Sequence, residues 1–523
     1  MAPLDGALAV AEDLGPVIDQ RMGRREFLSR SALVAGALAA PAWAARVATA
    51  ALPSAKLRAL AKSIHGTVVA PGSASYNQAR LLESTRFDAT HPEAIVYCAN
   101  AADVQKTMLW ALKNGVHVVP RSGGHSYGGY STTSGGVVID VSRLNAIHPV
   151  GTTAVVGAGA QLIDVYSQLF AHGVTIPGGS CATVGIAGLT LGGGVGFTSR
   201  AFGLSCDNVQ SLQIVTAAGK LLTCDTSHHS DLFWACRGGG GGNFGIVTSF
   251  TFKTHPISSV STYFVEWPWN QAVQAVRAWQ AFAPTAPDAL FSVCDLESTD
   301  PGTGSRSHVV SSGQYFGSEQ ELLALIKPLT ETGTPLNVTT HTRTGIEAAL
   351  FWAGCSGETV GQCHLSPRGT MARSTFLAKS DFVAKPLSAA AVTTMVTAIN
   401  ARQASPALGR GALLMDSYGG AINRVPKAAT AFVHRDQLFA IQYTAQYPAG
   451  APTSRVAANT QWLNNLHGAL GTAVSGQAYQ NYIDPGLANW QAAYYSSNLP
   501  RLQQVKRKYD PGNVFHFAQS IRP

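Results

Sequence analysis

Charge is scarce in this chain: charged residues make up 13% of its 523 residues, and the longest basic run is Lys506-Arg507-Lys508. The formal net charge of +8 is therefore spread thinly. We expect no nucleic-acid partner, because nucleic-acid-binding proteins concentrate Lys and Arg on one face. No C-x-x-C pair occurs among the eight cysteines, which argues against a structural zinc site, and we expect no bound metal. The sequence also has no internal repeat.

Long apolar runs are missing as well. The alanine-rich stretch from Ala32 to Ala40 is too short to span a bilayer comfortably and ends at Pro41. It follows Arg24-Arg25 and precedes Ala42-Trp43-Ala44, an order that predicts a twin-arginine signal peptide and its lead over residues 1–50. We therefore expect recognition by the twin-arginine export machinery, a periplasmic or extracellular location and no stable membrane anchor. A chance arginine pair before an anchoring helix is the alternative.

Export would bring the cysteines into an oxidising compartment, where disulfides form. Cys355 and Cys363 are the most local candidate pair. If Cys181 is used otherwise, seven cysteines remain and at least one of them stays unpaired.

A chain of this length is expected to form two domains. From about residue 55 to 256, short apolar strands alternate with helices. The spacing predicts a helix over 101–114, with Asn100 as its N-cap and Gly115 as its stop, and then a strand over 116–119 that ends at Pro120. The other predicted strands lie over 94–98, 137–141, 155–158, 262–267, 290–296, 307–316 and 437–446, and the other helices over 160–171 and 270–282.

After Pro256, aromatic and Thr-rich strands mix with amphipathic helices. We therefore predict an α+β fold with a first domain over 55–256 and a second domain over 257–475. The second is expected to be an antiparallel sheet covered by helices. Residues 476–523 are expected to return to the first domain.

The chain has 53 glycines, and they form dense clusters in three loops, over 120–129, 178–196 and 237–248. Backbone without side chains can approach a ligand closely and direct several N–H groups at a diphosphate. A dinucleotide fingerprint of the Rossmann type is disfavoured: 178–196 lacks its spacing, and Gly240 to Gly245 leads into a strand instead of a helix. Three alternatives remain: plain glycine turns, a Cys181 that is a buried small residue or half of a disulfide, and a flexible linker.

In order, PRSGGHSYGG, GGSCATVGIAGLTLGGGVGFTSRAFGLSCDN and RGGGGGNFGIVT resemble the FAD-binding signatures of berberine bridge enzyme-like oxidases. This family belongs to the vanillyl-alcohol oxidase / p-cresol methylhydroxylase flavoprotein superfamily. The terminal YDPGNVF, followed by QSI, is similar to the family's closing motif. The resemblance extends from about residue 70 to the end and implies the two-domain FAD-binding fold of the vanillyl-alcohol oxidase type.

The resemblance implies FAD attached twice, through His125 to the 8α-methyl carbon and through Cys181 to C6. Imidazole and thiolate are suitable nucleophiles towards an oxidised flavin. Val184 matches the position that governs oxygen access, and valine there favours an oxidase that makes hydrogen peroxide over a dehydrogenase. The other implied cofactor contacts come from Arg121, Ser122, Gly123, Gly124, Ser126, Gly185, Gly188, Gly194, Gly196, Gly245 and Ile246.

For catalysis, Asn481-Tyr482-Ile483-Asp484 is similar to the family's N-Y-x-D element, so Tyr482 is the expected base. Asp416 matches an aspartate that supports this tyrosine in sugar-oxidising members, and Tyr127 is a further candidate. A free phenol has a pKa of about 10, so Tyr482 needs a proton acceptor or a positive field to act. An interface aromatic and a turn residue are the structural alternatives for Tyr482 and Asp416.

We therefore expect an exported, monomeric oxidase that acts on an oligosaccharide or another alcohol, with O2 as the electron acceptor. Three alternatives remain: a secondary-metabolite or aromatic-alcohol oxidase, a dehydrogenase with another acceptor, and a flavin-carrying protein without turnover. Trp267, Tyr315 and Trp352 are candidates for stacking on sugar faces, with a role in the core as the competing interpretation.

Overall fold

The computed structural model describes residues 52–299 and 307–523. The predicted twin-arginine segment lies outside these residues. The strands are β1 (Thr67–Val69), β2 (Ala94–Tyr97), β3 (Val118–Arg121), β4 (Val137–Asp140), β5 (Ile147–Val150), β6 (Thr153–Gly157), β7 (Val174–Thr175), β8 (Val209–Val215), β9 (Leu221–Cys224), β10 (Ile246–Lys253), β11 (His255–Pro256), β12 (Ser259–Trp267), β13 (Leu290–Glu297), β14 (His308–Tyr315), β15 (Asn337–Thr344), β16 (Phe376–Val383), β17 (Gly411–Ser417) and β18 (Phe439–Gln446).

The α-helices follow the same order along the chain. They are α1 (Ser54–Ser63), α2 (Tyr76–Ala79), α3 (Ala101–Asn114), α4 (Leu162–Phe170), α5 (Ile186–Leu191), α6 (Ser199–Phe202), α7 (Ser230–Ala235), α8 (Ala272–Phe282), α9 (Glu319–Leu325), α10 (Lys327–Thr330), α11 (Gly345–Trp352), α12 (Ala389–Gln403), α13 (Gly420–Arg424), α14 (Thr453–Leu470), α15 (Trp490–Tyr495) and α16 (Leu499–Tyr509). Helices and antiparallel sheets together confirm the α+β class.

Helix α3 shows why local signals succeed in this chain. The Asn100 side chain accepts a hydrogen bond from the Asp103 backbone N–H, and Gly115 ends the helix at φ 63°. Val104, Met108 and other residues on the same face are buried, as the helical period requires. The predicted helix over 101–114 is therefore confirmed at both ends.

The prediction that Pro120 ends the following strand is wrong. Strand β3 runs through Pro120 to Arg121, with Pro120 opposite Ile139 on β4. The four-stranded sheet has the order β1-β2-β4-β3, so β3 is an edge strand. A proline is tolerated at an edge because its missing N–H removes no bond from a second neighbour.

The first core is built from two sheets. In the four-stranded sheet β2, β4 and β3 are parallel and β1 is antiparallel. The five-stranded sheet is antiparallel with the order β5-β6-β10-β8-β9. Val96, Phe250, Phe515 and Ile521 belong to one buried cluster, so the end of the chain packs into this core. The residue numbers chosen for the domain boundaries stay predictions.

The second core lies under a seven-stranded antiparallel sheet of order β15-β12-β14-β13-β17-β18-β16. Alternate residues of its central strands point to opposite faces. On β13, Leu290, Cys294 and Leu296 join the buried cluster formed with α8, α12 and α14. Phe291, Val293, Asp295 and Glu297 instead line a cavity. The antiparallel sheet covered by helices is therefore confirmed.

Cys355 and Cys363 form a disulfide, as their spacing suggested. Among residues 52–299 and 307–523, no helix is long and apolar enough to cross a membrane. In the same residues, no group of three or more His, Cys, Asp or Glu side chains has an arrangement that could hold a metal ion.

Candidate active site

A cavity of about 560 Å³ lies between the glycine-rich loops and the open face of the seven-stranded sheet. Its wall brings together His125 and Cys181 from two loops, Asp416 from β17, and Tyr127 and Tyr482. The other predicted residues on this wall are Arg121, Ser122, Gly123, Gly124, Ser126, Val184, Gly185, Gly188, Gly196, Gly245 and Ile246.

Gly194 is the predicted cofactor contact that does not lie on this wall. Its N–H donates to the Tyr479 hydroxyl at 2.8 Å, and its φ is 86°. A Cβ there would come within 2.2 Å of the Ser205 hydroxyl oxygen. Glycine is therefore needed at this position for backbone conformation and packing.

The loop after β3 packs tightly on the loop that carries Cys181. A Cβ on Gly123 would lie 2.2 Å from the Gly185 backbone nitrogen, so neither loop tolerates a side chain at the contact. His125 Nε2 lies 2.9 Å from the Thr183 hydroxyl oxygen. Thr183 therefore orients the imidazole, and Cys181 on the same loop is exposed.

The cavity wall suits a cofactor with a phosphate-bearing chain. A Cβ on Gly188 would have no neighbour within 4 Å, and one on Gly241 would touch only the backbone of Gly188, so this stretch offers side-chain-free backbone. Three buried polar atoms of wall residues have no protein partner within the described part of the chain: Arg121 Nη1, Tyr130 Oη and Gln480 Oε1. Buried polar atoms normally have partners, so the residues fit a polar ligand such as FAD.

Tyr482 is held between aromatic neighbours. Its ring is stacked on Tyr127, with 5.6 Å between centroids and 4° between planes, and it meets Tyr479 edge-on at 4.9 Å. Burial, and then the charge of Asp416, raise the pKa of Tyr482 well above its ordinary value. A phenol whose ordinary pKa of about 10 is raised further is neutral at physiological pH, so Tyr482 carries its proton there.

The loop that carries Tyr482 is anchored by residues that precede and follow the tyrosine in the chain. Asn481 Nδ2 donates to the Leu189 carbonyl and to the Tyr479 hydroxyl, both at 2.9 Å. Lys379 Nζ on β16 lies 2.6 Å from Asp484 Oδ2. The Asn and Asp of the N-Y-x-D element therefore fix the position of its tyrosine.

Sequence reasoning missed three polar residues at this site: Thr183, Lys379 and Gln442. Gln442 Nε2 donates to the Tyr127 hydroxyl at 2.9 Å. Gln442, Thr444 and Gln446 alternate along β18 and all line the cavity. This period-two polar pattern, in a strand otherwise buried, was the available signal for Gln442. Thr183 and Lys379 had no comparable signal.

The aromatic candidates for substrate stacking separate into two groups. Trp352 lies on the cavity wall and stacks on Phe197 with 3.7 Å between centroids. Trp267 is 1% exposed and belongs to the second core. Tyr315 packs against that core as well. Trp352 therefore remains a candidate, and the other two are structural.

Comparison with known proteins identifies the family. The family model described as FAD binding domain matches residues 92–225, and the one described as berberine and berberine like matches residues 478–522. An FAD-linked oxidoreductase of Bacillus subtilis, YgaK, is 36% identical over 464 residues, which cover 88% of this chain and 97% of that protein. The chain belongs to the berberine bridge enzyme-like FAD-linked oxidases.

Two further relatives of this berberine bridge enzyme-like oxidase extend the comparison. The structure of BBE-like 1 from Physcomitrella patens superimposes with a TM-score of 0.81 at 34% identity and covers 89% of this chain and 98% of its own. The xylooligosaccharide oxidase of Thermothelomyces thermophilus is 31% identical over 450 residues, which cover 83% of this chain and 87% of that protein. The structural superposition and the sequence comparison therefore indicate the same family.

Proposed function

We propose that this protein oxidises the reducing-end hemiacetal of an oligosaccharide, or a similar alcohol, and passes the electrons to molecular oxygen to form hydrogen peroxide. One observation supports this best. The partly buried phenol of Tyr482, under the charge of Asp416, shares a cavity wall with His125 and Cys181. Candidate groups for removing the proton from the substrate's hydroxyl group and the hydride from the carbon that bears it therefore lie on one cavity wall.

His125 and Cys181 would hold the cofactor covalently, and the side-chain-free backbone at Gly188 and Gly241 would receive its diphosphate. FAD supplies the hydride acceptor and the site of oxygen reduction when bound. Thr183, by its contact to His125 Nε2, sets the imidazole plane before attachment.

The proton moves through Tyr482. A neutral phenol accepts the substrate's hydroxyl proton only if its own proton leaves in the same step. Asp416 is the side chain whose charge acts most strongly on Tyr482, and it is the proposed acceptor. The substrate O–H bond breaks, its proton goes to Tyr482 Oη, and the phenolic proton passes to the Asp416 carboxylate while hydride leaves the carbon. Tyr127, fixed by Gln442, would position the substrate hydroxyl beside Tyr482.

The proposed substrate class is supported by the face of the seven-stranded sheet that lines the cavity. Polar side chains from three strands face the cavity: Asp295 and Glu297 from β13, Asp416 from β17, and Gln442 and Thr444 from β18. A surface rich in hydrogen-bonding groups suits a sugar with many hydroxyls. The relative named xylooligosaccharide oxidase supports the same class.

A second substrate class is an aromatic alcohol. Phe197, Phe291, Phe351 and Trp352 also line the cavity, and Phe197 and Trp352 are stacked. Such a wall would contact an aryl ring. A peroxide-coupled screen of purified protein against oligosaccharides and aryl alcohols separates the two. Turnover with aryl alcohols alone would contradict the proposed sugar substrate. Flavin reduction by a substrate without formation of hydrogen peroxide would indicate a dehydrogenase and not an oxidase.

The covalent attachment is tested independently of turnover. Yellow colour should stay with the acid-precipitated wild-type protein and with each of the variants His125→Ala and Cys181→Ala. The double variant should lose its colour to the supernatant. Colour that leaves the wild-type protein on precipitation would contradict both attachments.

Export by the twin-arginine route belongs to the same proposal. The full chain, which carries the predicted signal in residues 1–50, should reach the periplasm as a folded, flavin-loaded protein. Replacing Arg24 and Arg25 by Lys should retain it in the cytoplasm, and export that survives the change would contradict the route.

A further inference from the structure

The loop that follows α11, residues 353–372, forms part of the cavity wall through Ala353, Glu358, Leu365, Thr370 and Met371. Two devices brace it: the Cys355–Cys363 disulfide, and the contacts of His364 Nε2 and Arg368 Nη2 to the Asp164 carboxylate at 3.1 and 3.0 Å. We refer to residues 353–372 as the braced loop.

Met371 is packed against the disulfide. Its thioether sulfur lies 3.8 Å from Cys355 Sγ and 3.9 Å from Cys363 Sγ. The same cluster contains Ile163 and Ala182, and the Ile163 N–H donates to the Ala182 carbonyl at 3.0 Å. Ala182 directly follows Cys181, so Met371 belongs to the packing that supports the loop of the proposed flavin attachment.

Among the methionines in the described residues, Met371 is distinguished by access to the cavity. Met108, Met395 and Met415 are each 0% exposed, whereas Met371 is partly exposed and lies on the cavity wall. A thioether is oxidised by peroxide according to its access to the oxidant. Peroxide formed in this cavity would therefore meet the sulfur of Met371 before it met the others.

We propose that Met371 is a modification site for the enzyme's own hydrogen peroxide, and that its conversion to the sulfoxide loosens the braced loop and lowers activity. One peroxide molecule transfers one oxygen atom to the sulfur, which is oxidised by two electrons, and leaves as water. The proposal rests on the proposed oxidase function as the source of the peroxide.

The consequence follows from the surroundings of the sulfur. A sulfoxide is polar and larger than a thioether, and the cluster around the disulfide is apolar. An S=O group there lacks a hydrogen-bond donor unless the loop moves. Movement of the braced loop would change the cavity wall and the support of Ala182. Methionine sulfoxide reductases reverse the modification, so the loss of activity should be reversible.

The test has two arms that use the flavin-loaded protein. In the first, hydrogen peroxide is added without substrate, and peptide mapping by mass spectrometry follows each methionine. Met371 should gain one oxygen before Met108, Met395 or Met415, and the disulfide should then be cleaved faster by an added thiol. In the second, turnover with substrate should produce the same modification, and catalase should prevent it.

The matched variants are Met371→Leu and Met108→Leu, both volume-conserving. The Met108→Leu protein should lose activity during turnover as the wild type does, and the Met371→Leu protein should lose it several-fold more slowly. Oxidation of a buried methionine ahead of Met371, or equal inactivation of both variants, would overturn the proposal. If the protein makes no peroxide, added peroxide in the first arm still tests the oxidation of Met371, whereas turnover in the second arm modifies no methionine. A failure of the proposed oxidase function is thereby distinguished from a failure of the Met371 proposal.

Discussion

Replacing Tyr482 by Phe removes one hydroxyl from the cavity wall and leaves the ring contacts to Tyr127 and Tyr479 in place. A positioned proton-transfer group contributes about 10²- to 10⁴-fold to a rate, which corresponds to about 2.7–5.4 kcal/mol of barrier at 1.36 kcal/mol for each factor of ten. We expect flavin reduction to slow by this amount while the yellow cofactor stays bound. Anaerobic rapid mixing with substrate, followed by the loss of oxidised-flavin absorbance, measures the rate.

The chain offers a matched control in Tyr418. Its side chain is fully buried, its hydroxyl is without a partner within the described residues, and its pKa is raised by burial first and by Tyr479 and Asp416 after it. It does not line the cavity. The flavin of the Tyr418→Phe protein should therefore be reduced at the wild-type rate. If the flavin of the Tyr482→Phe protein were reduced at the wild-type rate, the proposed proton path would be refuted. If flavin reduction slowed equally in both variants, the loss could not be assigned to the Tyr482 hydroxyl.

The relay to Asp416 makes a stricter prediction. If Tyr482 hands its proton to Asp416, the two residues act as one unit, and effects of such units are strongly non-additive. Asp416→Asn should slow reduction, and the double variant with Tyr482→Phe should be little slower than Tyr482→Phe alone. Two losses that multiply in the double variant would show independent roles.

Three other perturbations test the fold and the oxygen step. Lys506→Met leaves Asp510 buried without the ammonium that lies 2.7 Å away, and should lower the free energy of unfolding by about 3–5 kcal/mol, seen as a lower urea midpoint. Val184→Ile narrows the cavity at the proposed oxygen path, and should slow reoxidation in air but leave anaerobic reduction unchanged. Burial opposes ionisation of Asp164, but the hydrogen bond and charge of His364 and the charge of Arg368 outweigh it and lower its pKa. This stabilisation is present at neutral pH and is lost as the pH falls through the lowered pKa, so proteolytic cleavage of the braced loop should rise in acid, and Asp164→Asn should show it already at neutral pH.

Local patterns predicted those elements whose causes are local. The helix over 101–114 has its N-cap, its apolar stripe and its terminal glycine within the segment itself. Strand β13 was predicted over 290–296 from its strand-like residue composition and is observed over Leu290–Glu297. The helix predicted over 270–282 was less accurate at its start, because a 3-10 turn over Trp269–Gln271 precedes α8 (Ala272–Phe282).

The candidate site divides in the same way. The glycine loops and the N-Y-x-D element are contiguous, so the sequence alone located His125, Cys181 and Tyr482. Gln442 meets the Tyr127 hydroxyl across 315 positions of the chain, and no local pattern encodes a contact of that separation.

The amino-acid sequence by itself determined the family, the class of cofactor and the short glycine-rich and N-Y-x-D segments that line the cavity, because each depends on neighbouring residues. Tertiary structure decided which side chains share the cavity. It placed Gly194 away from the cavity wall with its N–H on Tyr479, joined Lys379 to Asp484, and brought Met371 against the disulfide. The physical reason is that strand order and sheet register are fixed by burial over the whole chain, whereas turns, caps and glycine loops are fixed by their own few residues.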